Sequence, residues 1–310
     1  MVETLHVFDR RIVRLRRDRA AGRLGEHDFL LKEVSERLVD RLDDVRRCFP
    51  TALDLGCHRG ECSALLAGRA GIETLIQCDL STAMVSGRSG LCVVGDEEAL
   101  PFGDASLDLV VSALSLHWVN DLPGVLLQVR RALKPDGLFL AAMIGGNTLQ
   151  ELRQALAEAE LAEEGGFSPR ISPFADVRDI GNLLQRAGFA LPVVDIDTIT
   201  VSYADPFRLL ADLRGMGESN AVALRRKTPT RRATLFRALD IYRTRFAGAD
   251  GRVPATFQVI FMIAWAPDAS QPQALKPGSA AARLADALGA REVPLGEAAP
   301  GGYGSERRSE

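Results

Sequence analysis

The sequence predicts an α/β fold, a doubly wound and mostly parallel sheet of seven strands with a small helical cap. Apolar runs and helical patterns alternate along the first half of the chain, with a period of roughly 25 to 30 residues. The runs are almost continuously apolar, which is typical of parallel strands covered on both faces. A hydrophobic content of 46 % in 310 residues is sufficient for one full core.

The individual elements follow from these patterns. The first strand enters a glycine turn within residues 51–60, and further strands are expected at 74–79, 91–94, 107–113, 138–143, 192–201 and 256–265. Apolar residues recur at helical spacing in residues 26–47, 124–133, 150–164, 176–187, 206–213 and 231–246. Residues 134–137, with the sequence Lys-Pro-Asp-Gly, predict a tight turn before the fifth strand.

The same patterns predict the domain boundaries. A basic segment occupies residues 1–25, one domain spans 26–266 with a cap insertion at about 202–252, and residues 267–310 form a tail. The tail is rich in Pro, Ala, Gly and Ser, so we expect it to be mostly disordered, with one helix near 280–288. The basic segment is interrupted by Glu3, Asp9 and Asp18, unlike a mitochondrial presequence. We expect a solvated basic helix there, or a docking surface for an acidic partner.

Composition excludes several functional classes. A net charge of −3 argues against a protein that binds nucleic acid mainly through phosphate contacts. The five cysteines form no C-x-x-C pair and no zinc spacing, as expected of reduced thiols. No apolar run approaches the length of a membrane span. The four histidines include no H-x-D/E pair, so the sequence offers no support for an iron site, and no metal is expected.

The glycine turn after the first strand is the first candidate binding site. Gly56 and Gly60 let the backbone turn sharply and approach a ligand closely, and the following helix presents free N–H groups. Asp54 stands at the end of the strand, where it accepts hydrogen bonds from a ligand or steadies the turn. A nucleotide-type site and a plain packing turn are both open on this pattern alone.

Further polar residues follow the neighbouring strands. Asp79 ends the second strand, Asp96 follows the third, and His117 follows the fourth. Because ligands of such sheets bind outside the carboxyl ends of the strands, we expect these side chains to share one rim with Asp54. Glu97 lies beside Asp96 and is either part of this rim or a solvated acid.

The glycine turn and its acids resemble class I S-adenosylmethionine (SAM)-dependent methyltransferases, which have a Rossmann-like fold. The resemblance implies SAM as cofactor, bound by residues 26–266. It places Asp54 at the methionine part, Asp79 at the ribose and Asp96 at the adenine, with Leu80 and Glu97 as further cofactor-binding residues. The cofactor turn then comprises Gly56, His58 and Gly60. His58 replaces the family's middle glycine, and either narrows the pocket or meets the methionine carboxylate.

A narrower resemblance spans residues 8–265. Residues 8–10, 95–102, 115–123, 165–174, 215–220 and 253–256 are similar to the respiratory complex I (NADH:ubiquinone oxidoreductase) assembly factor 5 family, mitochondrial and bacterial. The resemblance implies hydroxylation of an arginine in the roughly 20 kDa iron–sulfur subunit of complex I, by analogy with the family rather than from fold alone. It also implies a helper assembly factor as a further partner. Because Phe8 lies so near the start, we expect a bacterial cytoplasmic protein, including a peripheral position at the inner membrane.

Two residues are predicted to carry chemistry. His117 has an imidazole suited to moving protons near neutral pH. Glu218 is suited to pairing with a substrate guanidinium, although it also fits a helix-capping loop. Two other functions stay open on the sequence: an ordinary methyltransferase on a small or carrier-bound acid, of the malonyl-carrier type, and a non-catalytic assembly chaperone.

Overall fold

The computed structural model describes residues 6–272, 279 and 282–291. The chain divides into two compact units, Met1–Ala269 and Ser270–Glu310. In the second unit the described helix is α10, Leu284–Leu288. Residues 273–278, 280–281 and 292–310, most of the tail predicted to be disordered, lie outside the described residues.

The first unit contains a seven-stranded sheet in the order β3-β2-β1-β4-β5-β7-β6. Strands β1 to β5 are parallel, β7 pairs antiparallel with β5, and β6 pairs antiparallel with β7, so the predicted architecture is confirmed. The strands are β1 Thr51–Leu55, β2 Thr74–Asp79, β3 Leu91–Val94, β4 Leu107–Ala113, β5 Leu133–Ile144, β6 Ala190–Tyr203 and β7 Val253–Trp265.

Helices cover both faces of this sheet. They are α1 Arg10–Ala20, α2 Phe29–Asp40, α3 Glu61–Leu66, α4 Thr82–Val85, α5 Leu122–Ala132, α6 Gln150–Glu164, α7 Val177–Arg186, α8 Pro206–Gly215 and α9 Arg232–Phe246, with 3₁₀ turns at Leu24–Glu26 and Leu116–Trp118. Successive side chains of a strand point to opposite faces. Leu109 and Val111 of β4 accordingly join the core under α2, whereas Val110 joins the core under α5. The continuous apolar character of the strands therefore reflects two separate cores.

Two predicted boundaries need correction. The helix expected to run to residue 47 ends at Asp40, because Leu42 and Val45 donate their N–H groups three residues back, in tight turns. The turn expected at residues 134–137 lies within β5, which begins at Leu133. Asp136 keeps a left-handed backbone there (φ 61°), and the pairing of β4 with β5 shifts register between Leu107 and Leu109.

The N-terminal segment packs against the sheet edge. The Phe8 N–H donates to Asn120 Oδ1 over 2.7 Å, and Phe8 bridges Val222 in the loop that follows α8. Helix α1 then begins at Arg10, capped by the Asp9 carboxylate. The expected solvated helix is wrong for Arg17, whose side chain is only 2 % exposed. No helix of the described residues is long and apolar enough to cross a membrane.

Candidate functional site

The glycine turn after β1 is shaped by neighbouring side chains. Gly56 has φ +71°, and a Cβ at this position would lie 2.1 Å from Ser115 Oγ. Gly60 has φ +86°, and a Cβ there would lie 1.5 Å from the Arg88 guanidinium. Gly56 needs glycine for backbone conformation and for space, and Gly60 needs it for backbone conformation, since the flexible Arg88 side chain can move. Their predicted contact with a cofactor stays a prediction.

Asp54 lies beneath this turn and is fully buried. Ser63 Oγ donates to its carboxylate over 2.5 Å. Burial raises the pKa of Asp54 to about 7, although the Ser63 hydrogen bond opposes the shift. The carboxylate does not line the cavity described below. A direct contact between Asp54 and cofactor stays a prediction.

Three thiols surround the turn. Cys57, Cys62 and Cys78 are buried and unpaired by disulfides. Burial raises the pKa of Cys78 to about 12 and that of Cys57 still further. All three therefore stay protonated at neutral pH.

Asp79 ends β2 with its carboxylate fully engaged. Its Oδ1 accepts from the Ser81 N–H (2.8 Å), and its Oδ2 accepts from the His58 N–H (3.1 Å) and from Arg17 Nη1 (3.2 Å). The next residue, Leu80, packs against the small apolar cluster of Phe8, Val13, Trp118 and Val222. The acid predicted to hold a ribose is thus held by an arginine of α1.

The acid pair after β3 is also bound by α1. Glu97 accepts from Arg17 Nη1 (3.1 Å), from Ser115 Oγ (2.6 Å) and from Arg10. Asp96 accepts from Arg10 Nη2 over 2.6 Å. Burial alone would raise the pKa of Glu97, but the two guanidinium groups outweigh it and lower the pKa to about 2. The interpretation of Glu97 as a solvated acid is wrong, since its side chain is fully buried.

The sequence reasoning did not identify Arg10 and Arg17 as residues of this rim. A signal was present, because they are seven residues apart and share one face of a helix. The same spacing separates them from exposed Arg11, but not from exposed Arg14, which is four residues after Arg10 and three before Arg17.

A cavity of about 500 Å³ adjoins this rim between the sheet edge and the cap. Its walls are mostly apolar, with Arg16, His58, Trp118 and Glu218 among the polar lining residues. His58 has a left-handed backbone (φ 48°), and both of its ring nitrogens are buried without a hydrogen-bond partner. An imidazole in this state is suited to meeting a polar ligand group.

The two residues predicted to carry chemistry meet at this cavity. His117 Nε2 and Trp118 Nε1 each lie 2.9 Å from Glu218 Oε2, across about one hundred residues of sequence. Burial would raise the pKa of Glu218, but His117 and the two hydrogen bonds lower it, so the carboxylate is ionised. His117 itself is buried behind Glu218 and does not line the cavity. The structure brings the pair together; their chemical roles stay predictions.

These residues fit SAM in kind and position. An acid ends β2, an acid pair follows β3, and His58 presents unpartnered nitrogens to the adjoining cavity. When bound, SAM supplies an electrophilic methyl group on sulfur. In the conformation described, however, α1 covers the acids that would hold the adenosine end. Within the described part of the chain, no group of three or more His, Cys, Asp or Glu side chains is placed to hold a metal ion.

Comparison with known proteins agrees with this geometry. A methyltransferase domain family model matches residues 53–141, which hold β1 to β4 and most of β5. The YcgJ protein of Bacillus subtilis has the same fold, with a TM-score of 0.51 over 75 % of this chain and 99 % of that chain, at 15 % identity. The methyltransferase domain makes SAM the cofactor, and its contacts with the residues named above stay predictions.

Two curated relatives cover nearly the whole chain. A malonyl-[acyl-carrier protein] O-methyltransferase of Halorhodospira halophila is 37 % identical, over 83 % of this chain and 88 % of that protein. The mitochondrial arginine-hydroxylase NDUFAF5 of Danio rerio is 46 % identical over 289 residues, covering 91 % of this chain and 89 % of that protein. The chain belongs to the NDUFAF5 arginine-hydroxylase family, on a class I SAM-dependent methyltransferase fold.

Proposed function

We propose that this chain hydroxylates an arginine side chain of a partner protein, the reaction for which its relatives are named. The observation that carries the proposal is the carboxylate of Glu218 at the cavity wall. Its two hydrogen-bond donors, His117 and Trp118, both bind Oε2. Among the described residues, no hydrogen bond is formed to Oε1, so this oxygen is available to a substrate.

A guanidinium suits this position for two reasons. Glu218 is ionised, and a charge-assisted hydrogen bond to an arginine is about twice as strong as a neutral one. The mostly apolar walls, including Leu114 and Phe174, complement the methylene stem of an arginine. In this proposal Glu218 binds the substrate, and His117 is a positioning residue that acts through Glu218.

The proposed partner is the iron–sulfur subunit of complex I named above, modified before the complex assembles. A helper assembly factor and a bacterial cytoplasmic location belong to the same proposal.

The test is the mass of the candidate arginine in that subunit, isolated from cells with and without this gene. We expect one additional oxygen atom with the wild-type gene, and its loss in the deletion strain and with Glu218→Gln. Glu158→Gln is the matched control, because Glu158 is an exposed acid on the outside of α6. Unmodified arginine in wild-type cells would overturn the proposal.

A second candidate is methyl transfer to a carrier-bound acid, as in the Halorhodospira halophila relative. It is favoured by Arg16, a cation that lines the cavity. Burial and the neighbouring Arg225 lower the pKa of Arg16 to about 10, so an anionic ligand nearby would be stabilised. This function would be supported if deletion of the gene caused biotin auxotrophy and if the purified chain methylated a malonyl carrier.

A further inference from the structure

Helix α1 places one guanidinium at the centre of the acid rim. Arg17 contacts Asp79 (3.2 Å), Glu97 (3.1 Å) and Ser115 (2.9 Å), and Arg10 closes the rim from outside by binding Asp96 and Glu97. The surrounding acids raise the pKa of Arg17 despite its burial, so it stays charged. These acids are the ones assigned to the adenosine end of the cofactor.

No ligand can reach Asp79 or Glu97 while Arg17 is in place. The side chains of Asp79 and Glu97 are both 0 % exposed. A ribose hydroxyl would have to donate to Asp79 at the oxygen that Arg17 uses, Oδ2, or at Oδ1, which the Ser81 backbone holds. Cofactor and Arg17 therefore compete for one carboxylate.

We propose that α1 is an internal competitor of SAM, with Arg17 occupying the adenosine end of the site until the cofactor displaces it. The proposal rests on the cofactor assignment of this rim and is independent of which reaction follows. When the cofactor displaces Arg17, the carboxylate oxygens exchange one hydrogen-bond donor for another, because ribose hydroxyls and guanidinium N–H groups both donate.

Helix α1 is attached in a way that permits this exchange. Of its eleven residues, only Val13 and Ala20 are buried apolar side chains, so little hydrophobic area holds it in place. Ile12 adds a partly buried apolar contact, and polar contacts join Arg14 to Thr82 and Ser81 to Asp18. The opposite face of the helix is exposed. The ion pairs for which the cofactor competes are thus a substantial part of what holds the helix.

The first test is calorimetric titration with S-adenosylhomocysteine of the wild type, Arg17→Met and Arg11→Met. Arg11 is the matched control, an exposed arginine on the same helix. Removing the competitor should tighten binding about 10-fold to 100-fold, the range expected for hydrogen bonds to charged groups. Arg11→Met should bind like the wild type. Tighter binding cannot result from misfolding; equal or weaker binding by a folded Arg17→Met would overturn the proposal.

The second test uses the wild-type chain and does not depend on a variant that folds. Trypsin cleaves after arginine, and α1 carries several. Saturating S-adenosylhomocysteine should accelerate cleavage within α1 while leaving other sites unchanged or protected. Unchanged or slower cleavage in α1 would overturn the competition while leaving the cofactor assignment intact. If competition is observed but the partner arginine gains no oxygen, the proposed function fails and this inference stands.

Discussion

Replacing Glu97 by Gln would test the energetics of the ion cluster under α1. The pKa of Glu97 falls from an ordinary 4.5 to about 2 in the folded chain. Each pKa unit corresponds to 1.36 kcal/mol, so the ionised carboxylate contributes about 3 kcal/mol to the free energy of unfolding at pH 7. Glu97→Gln loses this contribution and leaves Arg17, only 2 % exposed, with fewer counter-charges.

The direction of the pKa shift determines how this contribution to stability changes with pH. Because the folded pKa lies below the unfolded one, the stabilisation is complete above about pH 4.5 and is lost as pH falls toward about 2. The deficit of Glu97→Gln should therefore shrink from about 3 kcal/mol at pH 7 to about 1.5 kcal/mol at pH 3. Urea unfolding at both pH values measures it, with exposed Glu158→Gln as control. A deficit that is absent at pH 7, or unchanged at pH 3, would refute the reasoning.

Three further predictions concern the frame of the site. Asp54→Asn should raise the free energy of unfolding at pH 8 by up to about 4 kcal/mol and converge with wild type near pH 4, because the folded pKa of about 7 makes the ionised form unfavourable; urea midpoints test this. Gly56→Ala should lower stability by about 2 kcal/mol or more, seen in the melting temperature, because its Cβ would overlap Ser115 Oγ at a φ of +71°. Arg170→Met should cost about 2 kcal/mol in the same assay, because it removes the 2.6 Å ion pair to the nearly buried Glu160, which keeps its hydrogen bonds from Ser168.

The central strands β1, β4 and β5 could be predicted from local pattern because they are buried on both faces. The bounds of β4 agree with its apolar run because burial determines them, whereas β2 and β3 have the predicted bounds although Leu91 and Val94 of β3 are about half exposed. At other boundaries, local hydrogen bonds and backbone conformation determine where an element begins or ends. α2 ends early in tight turns at Leu42, and β5 continues through a left-handed Asp136, and neither depends on an apolar pattern.

The candidate site was only half predictable for a related reason. Residues at strand ends share an edge once the topology is known, so Asp79 and Asp96 could be placed from sequence. The hydrogen bonds and ion pairs of the site join residues that are far apart in the sequence. Arg17 contacts Glu97 across 80 residues, and His117 contacts Glu218 across 101. A charge pattern in a helix identifies which face is basic, but it does not identify which acids that face will meet.

The protonated thiols around the glycine turn have a consequence for oxygen chemistry. An oxidant attacks the thiolate form of cysteine much more readily than the thiol. Cys57, Cys62 and Cys78 are buried, and burial keeps the pKa of each well above neutral, so they present almost no thiolate. In the proposed hydroxylation, thiolates at this turn would be exposed to the oxidant that modifies the partner's arginine. The burial of these three side chains gives the turn resistance to self-oxidation.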